Sequence, residues 1–257
     1  MPSHTYSVAG IVLHRTLLGE ADKILTIYTR EHGKLGAVAK GVRKPKSRLT
    51  GVSELFICAR YLMAKGRSLD IVSQGEIEHS FSALRMDLEL LTRATYMCEL
   101  LDRLTLDRDE SASADLYDLT LGALMLLQRA SHYPDGVVHA YELHLLGITG
   151  YAPALDRCSR CGRTLEPKSS AFSAHLGGML CADDRHFAAD ATLITSDAIS
   201  LLRMLRDDDP SEIVLLNPAQ RVRFEAARAM RASVTERIDR RIKSADFLEE
   251  LRNTAKS

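Results

Sequence analysis

Three cysteines within 24 residues carry the clearest chemistry in this chain of 257 residues. Cys158-Ser-Arg-Cys161-Gly162 sets two thiolates at the spacing that lets both reach one tetrahedral Zn²⁺, and the glycine permits the turn that brings the sulfurs together. A second ligand pair is expected about 15–25 residues later. Cys181 arrives there, after Gly177-Gly178-Met179-Leu180. The position three residues on holds Asp184, and His186 offers a C-x4-H alternative. The candidate site is therefore Cys158, Cys161 and Cys181 with either Asp184 or His186 as fourth ligand, and softness favours His186 while spacing favours Asp184. No H-x-E arrangement lies nearby, so a structural ion is expected, not a catalytic one. The competing reading is a knuckle without metal, shaped by packing alone. Cys58 and Cys98 sit in apolar runs and read as buried free thiols.

The second feature is the basic run Lys40-Gly-Val-Arg43-Lys44-Pro-Lys46-Ser47-Arg48. Five cations in nine residues can neutralise nucleic-acid phosphates, and Ser47 can donate to one. Arg30, Lys34, Lys65 and Arg67 can extend that surface. The bland alternative is a solvated loop whose charges serve solubility.

Enzyme-like motifs fail on geometry. Gly41-Val-Arg-Lys-Pro45-Lys46-Ser47 faintly resembles a P-loop, but Pro45 stands where a glycine must offer an N–H to phosphate. His139 and His144 lie five apart, about 140° around a helix, so they do not form a metalloprotease pair. No nucleophile elbow and no acid–base pair stands out, and no enzymatic activity is expected.

The elements that must position these residues change character along the chain. Residues 6–77 read as five short strands, Tyr6–Arg15, Lys23–Arg30, Lys34–Lys40, Glu54–Met63 and Ser68–Ile77, rich in β-branched and aromatic residues. No helix-length gap separates most of them, so an antiparallel meander closing into a small barrel is expected. From residue 82 the apolar period becomes helical over Ser82–Leu106, Asp115–Arg129 and Asp135–Leu146. Residues 151–190 lose that period. Helices return as Asp197–Arg206 capped by Ser196, a basic helix Pro218–Ile242, and a short Ala245–Arg252 capped by Ser244. The resulting segments are 1–80, 81–150, 151–190 and 191–257, in an α+β multidomain chain.

Composition bounds the rest. With 46% hydrophobic and 26% charged residues the chain is neither disordered nor fibrous. No apolar run is long enough for a membrane span, and no basic region followed by an apolar run suggests secretion, which favours metal over disulfide at the cysteines. The formal charge is zero, yet residues 1–80 carry +5 and residues 81–150 carry −6. Nucleic acid should therefore favour the N-terminal barrel and avoid the acidic helices around residues 99–118.

These residues also resemble a family. Gly10-Ile-Val-Leu, Gly19-Glu-Ala-Asp22-Lys-Ile-Leu, Gly33-Lys-Leu, Ala39 through Arg48 and Gly66-Arg-Ser-Leu69 are similar in order to the N-terminal signature of bacterial RecO, the recombination mediators. The likeness continues through Tyr141–Gly147, the cysteine module and Ile242-Lys-Ser244 before Phe247-Leu248. The resemblance implies an N-terminal OB-fold, an α-helical domain and an inserted zinc-finger-like module. It implies binding of single- and double-stranded DNA, strand annealing, and action with RecR on DNA covered by single-strand-binding protein (SSB), whose acidic C-terminal tail is engaged, to help load RecA. A place in the bacterial cytoplasm, associated with the nucleoid, follows. Zinc-bearing members have a fourth Cys where this chain has Asp184. An RNA-binding OB-fold protein is the competing reading, since nothing here reads a 2′-hydroxyl.

Overall fold

A computed structural model describes residues 5–165, 170–238, 244, 245 and 248. Five strands, β1 (Thr5–Leu18), β2 (Asp22–Thr29), β3 (Gly33–Ala39), β4 (Cys58–Ala64) and β5 (Asp70–His79), close into a barrel in the order β1-β2-β3-β5-β4. The expected meander holds from β1 to β3. Beyond it, the 40–57 loop carries the chain across, so that β4 pairs with β1 and β5 closes on β3 in parallel, Ala37 opposite Asp70. Four of the five seams are antiparallel; the parallel one is short, as the weaker slanted pairing allows.

Alternation explains the barrel interior. Leu25 and Ile27 on β2, Ala37 and Ala39 on β3, and Tyr61 and Met63 on β4 all point inward and are fully buried. Val8 through Leu13 on β1 are buried on both faces, because helices cover the outside of this strand. Gly10 is required there: a Cβ would meet Ile27 Cγ2 at 2.6 Å.

Three helices follow, α1 (Ser82–Met86), α2 (Leu88–Leu104) and α3 (Ser113–Leu127); α2 and α3 pack on the barrel, and α1 packs on α2. The single helix expected over Ser82–Leu106 is two, because Asp87 leaves helical geometry and its carboxylate accepts from the N–H groups of Glu89 and Leu90. An aspartate cap satisfies two donors that would otherwise be orphaned. These helices and the barrel form one compact unit, which Ser244, Ala245 and Leu248 join; the described residues from 129 to 238 form the other.

The second unit contains α4 (Pro134–Ile148), a three-stranded sheet in the order β7-β6-β8, and α5 (Ser196–Asp207), α6 (Pro210–Ile213) and α7 (Gln220–Arg237). The strands β6 (Ser170–Ser173), β7 (Gly178–Leu180) and β8 (Thr192–Ile194) fall where the sequence shows no period, being only three or four residues long. Thr195, not Ser196, caps α5, its hydroxyl accepting from Ala198 N–H. α7 stops at Arg237, short of the expected Ile242, because Ile238 turns to extended geometry; residues 239–242 and nearly all of the expected helix Ala245–Arg252 lie outside the described residues. Among the described residues, no helix is long and apolar enough to cross a membrane.

Candidate nucleic-acid interface and metal centre

The basic run leaves β3 and is folded by a chain of tight turns. Lys44 N–H donates to Gly41 O, Ser47 N–H to Lys44 O, and Thr50 N–H to Ser47 O. Val42 anchors the run in the barrel core at 1% exposure, and Thr50 Oγ1 donates to Val42 O at 2.8 Å. A hydrophobic peg and a hydroxyl bond thus hold an otherwise polar segment against the barrel. Lys46 adopts a left-handed φ of +64°, a conformation that costs about 1–3 kcal/mol for a side-chain-bearing residue.

Lys40, Arg43, Lys44, Lys46 and Arg48 are all exposed. Four of them make no side-chain hydrogen bond or ion pair among the described residues; Arg43 reaches only Gly19 O, at 3.5 Å. Arg67 is likewise exposed, on the β4–β5 turn.

Arg30 and Lys34 are placed differently. Arg30 forms a two-pronged pair with Asp118 of α3, at 3.0 and 2.9 Å. Lys34 Nζ donates to the carbonyl oxygens of Asp102 and Thr105 at 2.7 and 2.9 Å and faces the Asp102 carboxylate at 3.1 Å. These carbonyls close α2, so Lys34 caps a helix C-terminus from a neighbouring strand. The structure therefore does not bring these two cations into one free surface with the loop. Their engagement is the contact between a +5 barrel and the acidic helices that pack on it.

The barrel aromatics are mostly core: Tyr28, Phe56 and Tyr61 are almost fully buried. The Tyr6 hydroxyl donates to Asp70, burial and that carboxylate pushing its pKa up to about 12. Cys58 and Cys98 are buried thiols, and burial raises Cys58 to about 11 and Cys98 to about 12.

In the other unit, two turns face each other. In the first, Gly162 N–H donates to Cys158 O, with φ at +72°; in the second, Asp184 N–H donates to Cys181 O. The two are locked by Ser159 N–H to Met179 O at 2.8 Å, and by Gly178, where a Cβ would meet Ala154 O at 2.4 Å. Cys158, Cys161, Cys181 and Asp184 bring their ligand atoms within 4.8 Å of one another, close enough to bind one metal ion. Cys161 and Cys181 Sγ are 3.9 Å apart, and Asp184 Oδ2 is 3.2 and 3.3 Å from Cys158 and Cys181 Sγ. Sulfurs at about 2.3 Å from a tetrahedral zinc would be about 3.8 Å apart, so the donor set fits.

The choice between fourth ligands is resolved by position. Asp184 joins the cluster, whereas His186 is exposed and its ring packs on Phe187 at 4.0 Å. Sequence reasoning missed Arg160. Its Nη1 donates to Asp184 Oδ1 at 2.7 Å, leaving Oδ2 for the thiols, and its guanidinium lies over the Phe187 ring at 3.4 Å. Hydrogen bonds from Cys161, Arg160 and Cys158 hold the Asp184 carboxyl well below the usual range. A lone arginine between two cysteines gives no signal of this role, because its target lies 24 residues away.

Comparison with known proteins adds an independent line. The family model described as Recombination protein O N terminal matches residues 1–81, and Recombination protein O C terminal matches residues 85–246. A DNA repair protein RecO of Symbiobacterium thermophilum is 36% identical over 250 residues, covering 96% of this chain and 98% of that protein. One from Bifidobacterium adolescentis is 43% identical over 213 residues, covering 81% and 84%. With the barrel, the helices and the cysteine cluster in place along nearly its whole length, this chain belongs to the RecO family of DNA repair and recombination proteins.

Proposed function

We propose that this chain is a non-catalytic mediator that binds single- and double-stranded DNA through the 40–48 loop and anneals complementary strands. Annealing requires two polyanions to be held close with their repulsion screened, and a cluster of unengaged cations does this without reading sequence. The observation that carries this reading is the ordered loop itself: five exposed cations pegged to a barrel by Val42 and Thr50. The family suggests the later steps, action with RecR, contact with the SSB tail and loading of RecA, in the bacterial cytoplasm. The ion proposed for the Cys₃Asp cluster is Zn²⁺, which suits a thiolate-rich tetrahedral set and would cross-link the two turns.

The deciding experiment is strand annealing by wild type and by an Arg43→Glu, Lys46→Glu variant. A fall of about tenfold or more in rate is expected; unchanged annealing removes the loop from the mechanism. A clear preference for RNA over matched single-stranded DNA in competition would overturn the assignment to DNA.

A further inference from the structure

The hairpin joining β1 and β2 projects two large apolar side chains. Leu17 is 61% exposed and Leu18 is 41% exposed. They pair with Lys23 and Asp22 across the hairpin, so as strand neighbours they face opposite sides of the ribbon. Two adjacent exposed leucines at the end of a long strand cost solvation on both faces. The barrel has no structural use for them, because its core cluster closes without them and the buried stretch of β1 ends at Leu13.

The basic loop is tied to this same tip. Gly41 N–H donates to Asp22 Oδ1 at 2.7 Å, Arg43 N–H donates to Ala21 O at 2.9 Å, and the Arg43 guanidinium reaches Gly19 O. The residues from Leu17 to Asp22 include no cation. At its base, Arg15 and Lys23 share one carboxylate, Glu54. Apolar surface and free positive charge are thus adjacent but separate: the leucines cannot hold a phosphate, and the loop beside them cannot bury a base.

We propose that the β1–β2 tip is an apolar wedge, in which Leu17 and Leu18 pack against the bases of a single-stranded DNA whose phosphates lie on the 40–48 loop. The idea rests on the loop reading above and deepens it by assigning the base contacts. Aliphatic side chains inserted at base steps unstack them and replace the lost stacking with apolar burial. The wedge compensates for the shortage of exposed aromatics in the barrel, whose Tyr28, Phe56 and Tyr61 are enclosed. It also suits annealing, because bases splayed from one strand are presented to the other while the phosphates stay screened.

The test compares wild type, a Leu17→Ser, Leu18→Ser variant and a Lys44→Ala, Lys46→Ala variant. Each binds a single-stranded oligonucleotide carrying 2-aminopurine across a series of salt concentrations. The leucine variant should lose about tenfold or more in affinity, the effect of removing the apolar burial against the bases, with an unchanged slope of log affinity against log salt. The fluorescence rise that reports unstacking should vanish with it. The lysine variant should instead show a shallower slope and keep the fluorescence rise at saturation. Because Leu17 and Leu18 are exposed, circular dichroism should show both variants folded. Unchanged affinity and fluorescence in the leucine variant, with weakened binding in the lysine variant, overturns the wedge and leaves the loop reading standing. Unchanged binding in both overturns the two together. A leucine variant that binds DNA normally but no longer self-associates overturns the wedge in favour of an interface between copies.

Discussion

Lys34 and Asp102 meet twice: the ammonium donates to the Asp102 carbonyl at 2.7 Å and faces its carboxylate at 3.1 Å. A barrel cation is thereby fixed at the C-terminal end of α2, with its side chain only 12% exposed. Lys34→Met should lower stability by about 2 kcal/mol, since hydrogen bonds involving charged groups are worth about 1.5–3 kcal/mol each and the carbonyls would be left unpaired. Its salt slope for DNA binding should match wild type. Urea unfolding and a salt titration check the two halves of the prediction.

The loop lysines should behave in the opposite way. Lys44→Ala with Lys46→Ala should leave the unfolding free energy unchanged within about 0.5 kcal/mol, because both are exposed and neither is paired among the described residues. The single-strand salt slope should fall by about 0.7 per lysine removed. Fluorescence anisotropy from low to moderate salt measures it.

Arg160 should tune the metal site without touching the ion. Arg160→Ala removes the bond that leaves Asp184 Oδ2 turned toward the thiols, and groups that orient metal ligands are typically worth about 10–100-fold in affinity. Competition with a chromophoric chelator should register that loss. Elemental analysis of Cys181→Ser should show zinc reduced or absent, and chelation should lower the melting temperature of wild type but not of that variant.

The acid limb of stability should depend on Asp70. This carboxylate is fully buried, which would raise its pKa, yet the Tyr6 hydroxyl, Gly66 N–H and Arg108 guanidinium together hold it below the usual value. A depressed folded-state pKa contributes stability that is complete above about pH 4, the unfolded value, and is lost as pH falls through the lower folded value. Asp70→Asn should flatten the dependence of unfolding free energy on pH below about pH 4. Asp70→Ala should cost about 1–3 kcal/mol at neutral pH by leaving the Tyr6 hydroxyl and Gly66 N–H without their partner, while the half-exposed Arg108 turns to water. Chemical unfolding across pH 2–7 tests both.

Much of the fold was legible in the residues. The alternation of Leu25, Ile27, Ala37 and Ala39 marks strands whatever they pair with, and the helical period from residue 88 marks α2. The Cys158-x-x-Cys161 spacing and the cation density of residues 40–48 name two chemistries directly, because both depend on neighbours along the chain. The α1–α2 break was present as Asp87 but hidden, since the apolar period runs on across it and only the cap geometry interrupts the helix.

What composition and spacing could not supply was the engagement of each charge. Arg30, Lys34 and Lys46 look alike in sequence, yet Asp118, 88 residues away, claims the first, the end of α2 claims the second, and nothing among the described residues claims the third. Likewise, spacing left Asp184 and His186 open, and the turn after Cys181 decided it by directing one inward and the other to solvent. The residue types set which chemistries are available over a few positions of chain. Whether a charge is neutralised or left for a ligand depends on distances of a few ångströms between residues far apart in sequence, and closure of the barrel against its helices sets those distances.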